Sequence, residues 1–368
     1  MSDALQPSLA VRLREKIRSE GPISFRDWMA AALYDPQEGY YCRRERVRWG
    51  RNGDYRTNPE RSPLFAATFA DYFARLYKEL GAPARWTIFE AGAGAGHFAR
   101  GVLGCLERDY ENVFQATRYV IDEASDDARH SAGKRLSRFG ERVSFRRLSE
   151  LERPLDAGIV FSNELLDAFP VHRVMMRGGR LKELFVKLDA ADKFTWTAQD
   201  AKTPRLSEYF EKAGVQLREG HLAEVNLEME DWLEAVSERL TRGFIVTVDY
   251  GAEALELYTA AHRREGSLRA FRRHQFAEDV LADPGEQDLT TTIDWTHLRR
   301  YGEQLGWSTI LFERQDRFLL DQGILDQLER LTASLPGEAD ALALSTSLRE
   351  MILPEGMGTS FQVLVQKR

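Results

Sequence analysis

The chain has only two cysteines in 368 residues, Cys42 and Cys105. They make neither a disulfide framework nor a thiolate metal centre, and so small a number fits a reducing compartment. No apolar run is long enough to cross a bilayer. The stretch from Met1 to Gly21 alternates charges with aliphatics instead of building the apolar core of a secretion signal. Asp3, Glu15 and Glu20 in that stretch argue against an organelle-targeting helix, so a cytoplasmic protein is expected. Positive charge is not in excess either. With 51 Lys and Arg against 58 Asp and Glu the net charge is −7, which excludes a sequence-independent nucleic-acid binder with a broad basic face. Internal repeats and low-complexity segments are absent as well.

What is present is a core-forming composition, 43% hydrophobic, on a chain long enough for one main domain and a substantial addition. Residues 8–34 carry Leu9, Leu13 and Ile17, then Phe25, Trp28, Met29 and Leu33, at helical spacing, with Gly21-Pro22 as the break between two helices. A turn-rich aromatic segment follows, ending in Gly39-Tyr40-Tyr41. The stretch from Gly53 to Ser62 gathers polar groups, proline and aromatics just before a helix patterned by Phe65, Phe69, Phe73 and Leu76. Ser62 can cap that helix, with Pro63 at its first position. The cap accounts for Ser62 but not for Asp54, Thr57 and Glu60 together, so this loop is a candidate wall of a site.

From Trp86 onward strands alternate with helices. Strands at 86–90, 117–122, 142–146, 157–161 and 243–249, helices at 97–108, 125–138 and 164–168, and closing strands near 309–312 and 361–365 around a helical stretch at 322–351 predict an α/β, doubly wound, Rossmann-like sheet. Residues 172–240 interrupt it with a hairpin signal, two alternating runs joined by Arg177-Gly178-Gly179-Arg180, and with helical stretches at 205–213 and 227–240. The expected organisation is a helical N-terminal segment with a site-covering loop (1–80), a core formed by 81–171 and 241–368 with an elaboration at 251–292, and a mixed α/β insertion at 172–240. The tract from His262 to His274 is the strongest basic cluster and fits either a solvated face or an anionic patch on a partner protein.

The strand Trp86-Thr87-Ile88-Phe89-Glu90 runs into Ala91-Gly92-Ala93-Gly94-Ala95-Gly96 and then a helix, a glycine turn that lets a ligand approach the backbone closely. Two ligand classes compete for it. Read from Gly94, the turn passes a dinucleotide fingerprint, G-x-G-x-x-A, two residues late. The partner carboxylate of that fingerprint belongs about twenty residues on, whereas Glu123 lies 27 residues after Gly96 and 31 after Gly92. A carboxylate at Glu90 repels a diphosphate and suits a cationic ligand with free hydroxyls, which points to S-adenosylmethionine. Asp122 and Glu123 end the second strand, where a carboxylate can accept both ribose hydroxyls. The fourth ends in Asn163-Glu164, and Glu164 and Asp167, three apart, can share one face of a short helix and grip a guanidinium.

These strings together resemble the MidA-like S-adenosylmethionine-dependent methyltransferases, which include a mitochondrial complex I assembly methyltransferase. The matching residues are Gly39-Tyr40-Tyr41, Gly53-Asp54-Tyr55 with Thr57, Pro59-Glu60 and Ser62, the turn Glu90 to Gly96, Asn163 through Pro170, Asp249-Tyr250-Gly251, and Gly266 through Thr290. The resemblance implies a class I methyltransferase fold with added elements and donor contacts at Glu90, Gly92, Gly94, Gly96 and Glu123, with Asp122 beside it. Asp54, Thr57 and Ser62 fall in the segment that covers the same site. Where the family often has an acid after the third strand, this chain has Arg147-Leu148-Ser149, so no adenine contact is assigned.

The expectation is therefore an S-adenosylmethionine-dependent methyltransferase that uses Asn163, Glu164 and Asp167 on the acceptor, an arginine nitrogen of a partner protein. No metal and no nucleic acid are expected, and an oligomer is allowed. A small-molecule O- or N-methyltransferase and a non-catalytic assembly factor that keeps the fold are the alternatives.

Overall fold

The structure, a computed structural model, describes residues 7–43, 62–272, 275–335, 337–353 and 357–368. Its centre is the strand Trp86–Ala91 (β1), apolar and buried along almost its whole length, as a strand covered by helices on both faces must be. In chain order the other main strands of the central sheet are Thr117–Asp122 (β2), Val143–Phe145 (β3), Gly158–Asn163 (β4), Gly243–Ala252 (β5), Ser308–Arg314 (β6) and Phe361–Lys367 (β7), with the two-residue Ile293–Asp294 added in parallel beside the end of β5. They lie side by side as β3-β2-β1-β4-β5-β7-β6. β1 pairs in parallel with β2 and β4, and β4 with β5. β7 alone runs antiparallel, between β5 and β6. The chain moves outward from β1 to β3 and then returns to the other side of β1, so the order reverses between β1 and β4. In open sheets of this kind that reversal opens the ligand crevice at the carboxyl ends of the strands.

Each face of the sheet has its own core. On one, the helix Pro63–Glu79 presents Phe65, Phe69 and Phe73 to Phe98 and Phe161, and the last two rings stack at 4.2 Å. That helix starts as the sequence requires: Ser62 Oγ accepts from the Leu64 amide and Pro63 follows it. On the other, Met229, Leu233 and Val236 of the helix Leu227–Arg239 pack with Phe89, Val160, Ile245 and Trp295.

The hairpin forms as its Gly178-Gly179 turn predicts. His172–Arg177 pairs with Arg180–Leu188 in antiparallel register, Arg177 opposite Arg180, and both glycines have positive φ, 60° and 68°, as the favoured two-residue hairpin turn demands. Leu222–Val225, Phe194–Asp200 and the short Ile23–Ser24 complete this second sheet. The N-terminal helices Leu9–Glu20 and Phe25–Tyr34 close over it with Leu13, Ile17, Phe25 and Trp28. Arg269–Arg272, Gln275–Ala277 and Asp288–Thr290 form a third, small sheet within the 251–292 elaboration.

Two expectations on local structure fail. The helix predicted at 164–168 is a single turn of tight helix, Leu166–Ala168. Glu164 takes φ of +51° while its amide donates to Val248 O at 2.9 Å, so pairing with β5 overrides helical propensity. The stretch 322–351 belongs to two helices, Ile324–Ala333 and Glu338–Ile352, and a further helix, Gln315–Asp321, precedes it.

Candidate functional site

A cavity of about 1110 Å³ opens at the strand ends where the sheet order reverses. Its first wall is the glycine turn. Gly92, Gly94 and Gly96 all have positive φ, 71°, 53° and 76°, a region costly for any side-chain-bearing residue. A Cβ on Gly92 would stand 2.9 Å from Leu165 Cδ1. Gly92 and Gly94 line the cavity. Gly96 does not: it precedes the helix His97–Asp109 and lets it pack closely, since a Cβ there would lie 3.0 Å from Ala132 Cβ.

Glu90 lines the cavity at 4% exposure. Its Oε2 accepts from the Tyr119 hydroxyl at 2.7 Å. Burial pushes Glu90 up to about 8, with the nearby Glu123 charge adding to the rise and the Tyr119 bond opposing it. Glu123, at the end of β2, is 9% exposed. Its two oxygens accept from the amides of Gly94 and Ser125, each at 2.8 Å, which pins the carboxylate against the glycine turn. Burial raises it also. Asp122 faces the cavity too, with Oδ2 accepting from the Leu148 amide at 2.9 Å. Arg129 and Arg147 complete this side. His97 stays neutral at ordinary pH because burial, then Arg135 and Arg100, push it down to about 4.

The opposite wall comes from the segment after β4. Asn163 Nδ2 donates to Glu164 Oε1 at 3.1 Å, while Asn163 Oδ1 and Asp167 Oδ1 are buried without hydrogen-bond partners among the described residues. Burial pushes Asp167 up to about 6. Asn163, Glu164 and Asp167 all line the cavity, as the sequence led one to expect, but Glu164 and Asp167 do not share a helix face. The positive φ of Glu164 separates it from the tight turn that carries Asp167.

Ser62 is a correction of another kind. It caps its helix, accepts from Ser347 Oγ at 2.9 Å, and is not among the residues that line the cavity. Asp54 and Thr57 lie outside the described residues.

The sequence reading left several wall residues unassigned. Tyr34 donates to Ala168 O at 3.0 Å and Tyr41 to Asp288 Oδ1 at 2.7 Å, and the two rings stack at 5.4 Å. Glu228, Asp231 and Trp232 enter from the helix Leu227–Arg239, Tyr250 from the end of β5, and Asp288 and Thr290 from the small sheet. The available signal was the strand order: once β5 is placed beside β4, Asp249 and Tyr250 must end at the edge where Asn163 ends. Among the described residues, no group of three or more acidic, histidine or cysteine side chains is placed to hold a metal ion, and no helix is long and apolar enough to cross a membrane.

The chemistry of this wall suits one kind of ligand. Side-chain-free backbone at the turn admits close approach, and the buried carboxylates Glu90 and Glu123 suit a cationic ligand with hydroxyls. Fold and site together define a class I S-adenosylmethionine-dependent methyltransferase. Residues 68–312, more than half of the chain, match the family of S-adenosyl-L-methionine-dependent methyltransferases, and the chain belongs to that family. A Burkholderia thailandensis protein crystallised with S-adenosyl-homocysteine has the same fold, with a TM-score of 0.86 and 29% identity over 98% of this chain and 92% of that one. A native crystal structure of a protein from the same organism gives a TM-score of 0.83 at 30% identity, over 98% and 91%. Among sequence relatives, the Drosophila melanogaster protein arginine methyltransferase NDUFAF7 homolog, mitochondrial, is 28% identical over 81% of this chain and 71% of its own. The Mus musculus protein arginine methyltransferase NDUFAF7, mitochondrial, is 26% identical over 98% and 84%. The protein is an enzyme, and S-adenosylmethionine is its methyl donor.

Proposed function

We propose that the acceptor is a guanidinium nitrogen of an arginine in a partner protein. The observation that carries this reading is the pair of partnerless oxygens, Asn163 Oδ1 and Asp167 Oδ1, on one wall of the cavity. Buried acceptors left unpaired are costly, and a guanidinium offers five N–H donors in one plane to satisfy them. The surroundings support a cation. The segment after β4, the helix Leu227–Arg239 and the strand Asp288–Thr290 contribute Glu164, Asp167, Glu228, Asp231 and Asp288 to the wall and no Lys or Arg. Two of these acids are already engaged from outside the wall, Glu228 by Arg26 and Asp231 by Arg205, which leaves the wall nearest Asn163 to the acceptor. The names of the animal relatives agree with an arginine acceptor.

On this reading Gly92 and Gly94 admit the donor, Glu90 balances its positive charge, and Glu123 accepts from its ribose hydroxyls. Charge-assisted bonds of that kind contribute about 1.5–3 kcal/mol each. When bound, S-adenosylmethionine supplies an activated methyl group on a sulfonium, so the protein's part is to align the nucleophile and take its proton. Asn163 and Glu164 hold the guanidinium in line. Asp167, less acidic than an exposed aspartate, receives the proton at its carboxyl.

The test is methyl transfer from isotopically labelled donor to proteins extracted from host cells that lack this chain, read by mass spectrometry. The expected result is label on arginine in one or a few proteins with the wild type and none with Glu164→Gln. Label confined to other side chains or to small molecules would overturn the reading.

A further inference from the structure

Tyr250 lines the cavity and has no task in the scheme above. It stands just beyond the register in which Val248 of β5 pairs with Asn163 of β4. Its ring packs edge-on against Phe361, at 5.5 Å and 74°. Its hydroxyl donates to Asp167 Oδ2 and lies in hydrogen-bonding reach of Thr290. The main chain around Asp167 is fixed as well. Its main-chain carbonyl accepts from the Thr291 amide at 2.9 Å. The fully buried Asp249 takes the Leu166 amide on Oδ2 at 3.1 Å and the Tyr250 amide on Oδ1 at 2.9 Å. One buried carboxylate thus anchors both the turn that carries Asp167 and the backbone of the tyrosine that grips it. The atom left over is Asp167 Oδ1.

We propose that Tyr250 is a positioning residue for methyl transfer: its hydroxyl holds one oxygen of Asp167 so that the other, Oδ1, is presented to the acceptor nitrogen and takes its proton. This rests on the arginine reading above. As the N–C bond forms, the nitrogen's proton passes to Asp167 Oδ1 and from there to solvent, while the electron pair of the breaking C–S bond stays on sulfur. Without the phenol, the carboxyl is free to rotate and to spend Oδ1 on neighbouring backbone amides.

The titratable groups that face Asp167 are Asp249, Tyr34 and Tyr250, with Glu164 beside Asp249. Burial raises Asp167, and the hydrogen bond from Tyr250 acts in the opposite sense by stabilising the carboxylate. Removing the hydroxyl therefore raises the Asp167 midpoint further, and the acid limb of activity moves to higher pH.

Tyr250→Phe keeps the ring and deletes the hydroxyl. Carbon NMR of aspartate-labelled protein, with Asp167→Asn to assign the signal, is expected to show a higher Asp167 midpoint in Tyr250→Phe than in the wild type. A site-specific fluorotyrosine at 250, a stronger donor that keeps the hydroxyl, is expected to move the midpoint down, and it serves also if the phenylalanine variant does not fold. With the acceptor found as above, kcat of Tyr250→Phe falls about tenfold or more, KM for donor and acceptor stays within about twofold, and the acid limb of kcat shifts upward. An unshifted midpoint overturns the role of Tyr250 whatever the acceptor, and so does loss of donor affinity in parallel with activity. Absence of transfer to arginine by the wild type, with the midpoint shift intact, overturns the arginine reading instead.

Discussion

Glu90 stands one residue from the end of β1 with its carboxyl closed off from water, one oxygen on Tyr119 and the Glu123 charge close by. Burial moves its titration from 4.5 up to about 8, and the sign of the consequence can be worked out. Across that window the folded, donor-free protein keeps a proton that the unfolded chain releases, so this group's contribution to stability is full below 4.5 and is lost as pH rises through about 8. A cationic donor reverses the preference, because its charge favours the ionised carboxylate. Donor binding near neutral pH is therefore expected to release a proton. Calorimetric titration with S-adenosylmethionine in two buffers of different ionisation enthalpy reads the count, and Glu90→Gln should abolish it. A wild-type count of zero would remove Glu90 from the donor site. Sequence alone singled out this carboxylate, which lines the cavity, because a charged residue near the end of a buried strand is conspicuous. It gave no hint of the tyrosine one strand away that holds it.

The glycine turn, taken as an element, divides its labour between ligand and scaffold. Gly92 faces the cavity, and a Cβ there would press on Leu165, itself a wall residue. Gly96 faces the helix Asp126–Leu136, where a Cβ would press on Ala132. Both have positive φ, so alanine at either position strains the backbone by about 1–3 kcal/mol. The outcomes should differ in kind. Gly92→Ala is expected to weaken donor binding about tenfold or more, and Gly96→Ala to lower the melting temperature with a smaller change in affinity. Titration and thermal melting of the two variants check this, and a larger affinity loss in Gly96→Ala would contradict the division. Elements such as β1, β2, β4 and the Gly178-Gly179 hairpin were legible because apolar runs met turn-forming residues within the same short window. The segment after β4 was not. Glu164-Leu165-Leu166-Asp167-Ala168 has helical propensity throughout, and what denies it a helix is an amide bond to Val248, 84 residues away in sequence. Likewise Ile23–Ser24 joins the second sheet only through Phe185 and Val186, a pairing that no local window contains.

Across the whole molecule, the cavity draws its walls from the central sheet, the small third sheet, the helix Leu227–Arg239 and the end of the N-terminal helix Phe25–Tyr34, and it concentrates the acidic groups that the composition spreads thinly. The chain carries a net charge of −7, and the described cavity wall bears nine acidic side chains, Glu90, Asp122, Glu123, Asp126, Glu164, Asp167, Glu228, Asp231 and Asp288, of which donor-free Glu90 holds its proton at neutral pH, against Arg129 and Arg147. The composition excluded a basic binding face. It could not reveal that the acids converge, because convergence depends on the sheet order and on Tyr34, Tyr41 and Asp288 meeting from distant parts of the chain. A field focused in a low-dielectric cleft raises the encounter rate of an oppositely charged substrate and is screened by salt. The screening length falls from about 30 Å at 0.01 M to about 8 Å at 0.15 M ionic strength, which is shorter than the reach needed to steer a protein from outside the cavity mouth. Contacts made inside the cavity, shielded from solvent, are screened far less. For an arginine-bearing protein acceptor, raising the ionic strength across that range should lower kcat/KM severalfold through KM while kcat stays nearly constant. A neutral acceptor should show no such trend. Steady-state kinetics at several salt concentrations, with a non-binding salt to avoid competition for the site, separates the two, and a salt-independent kcat/KM would mean that the acidic wall does not steer the acceptor.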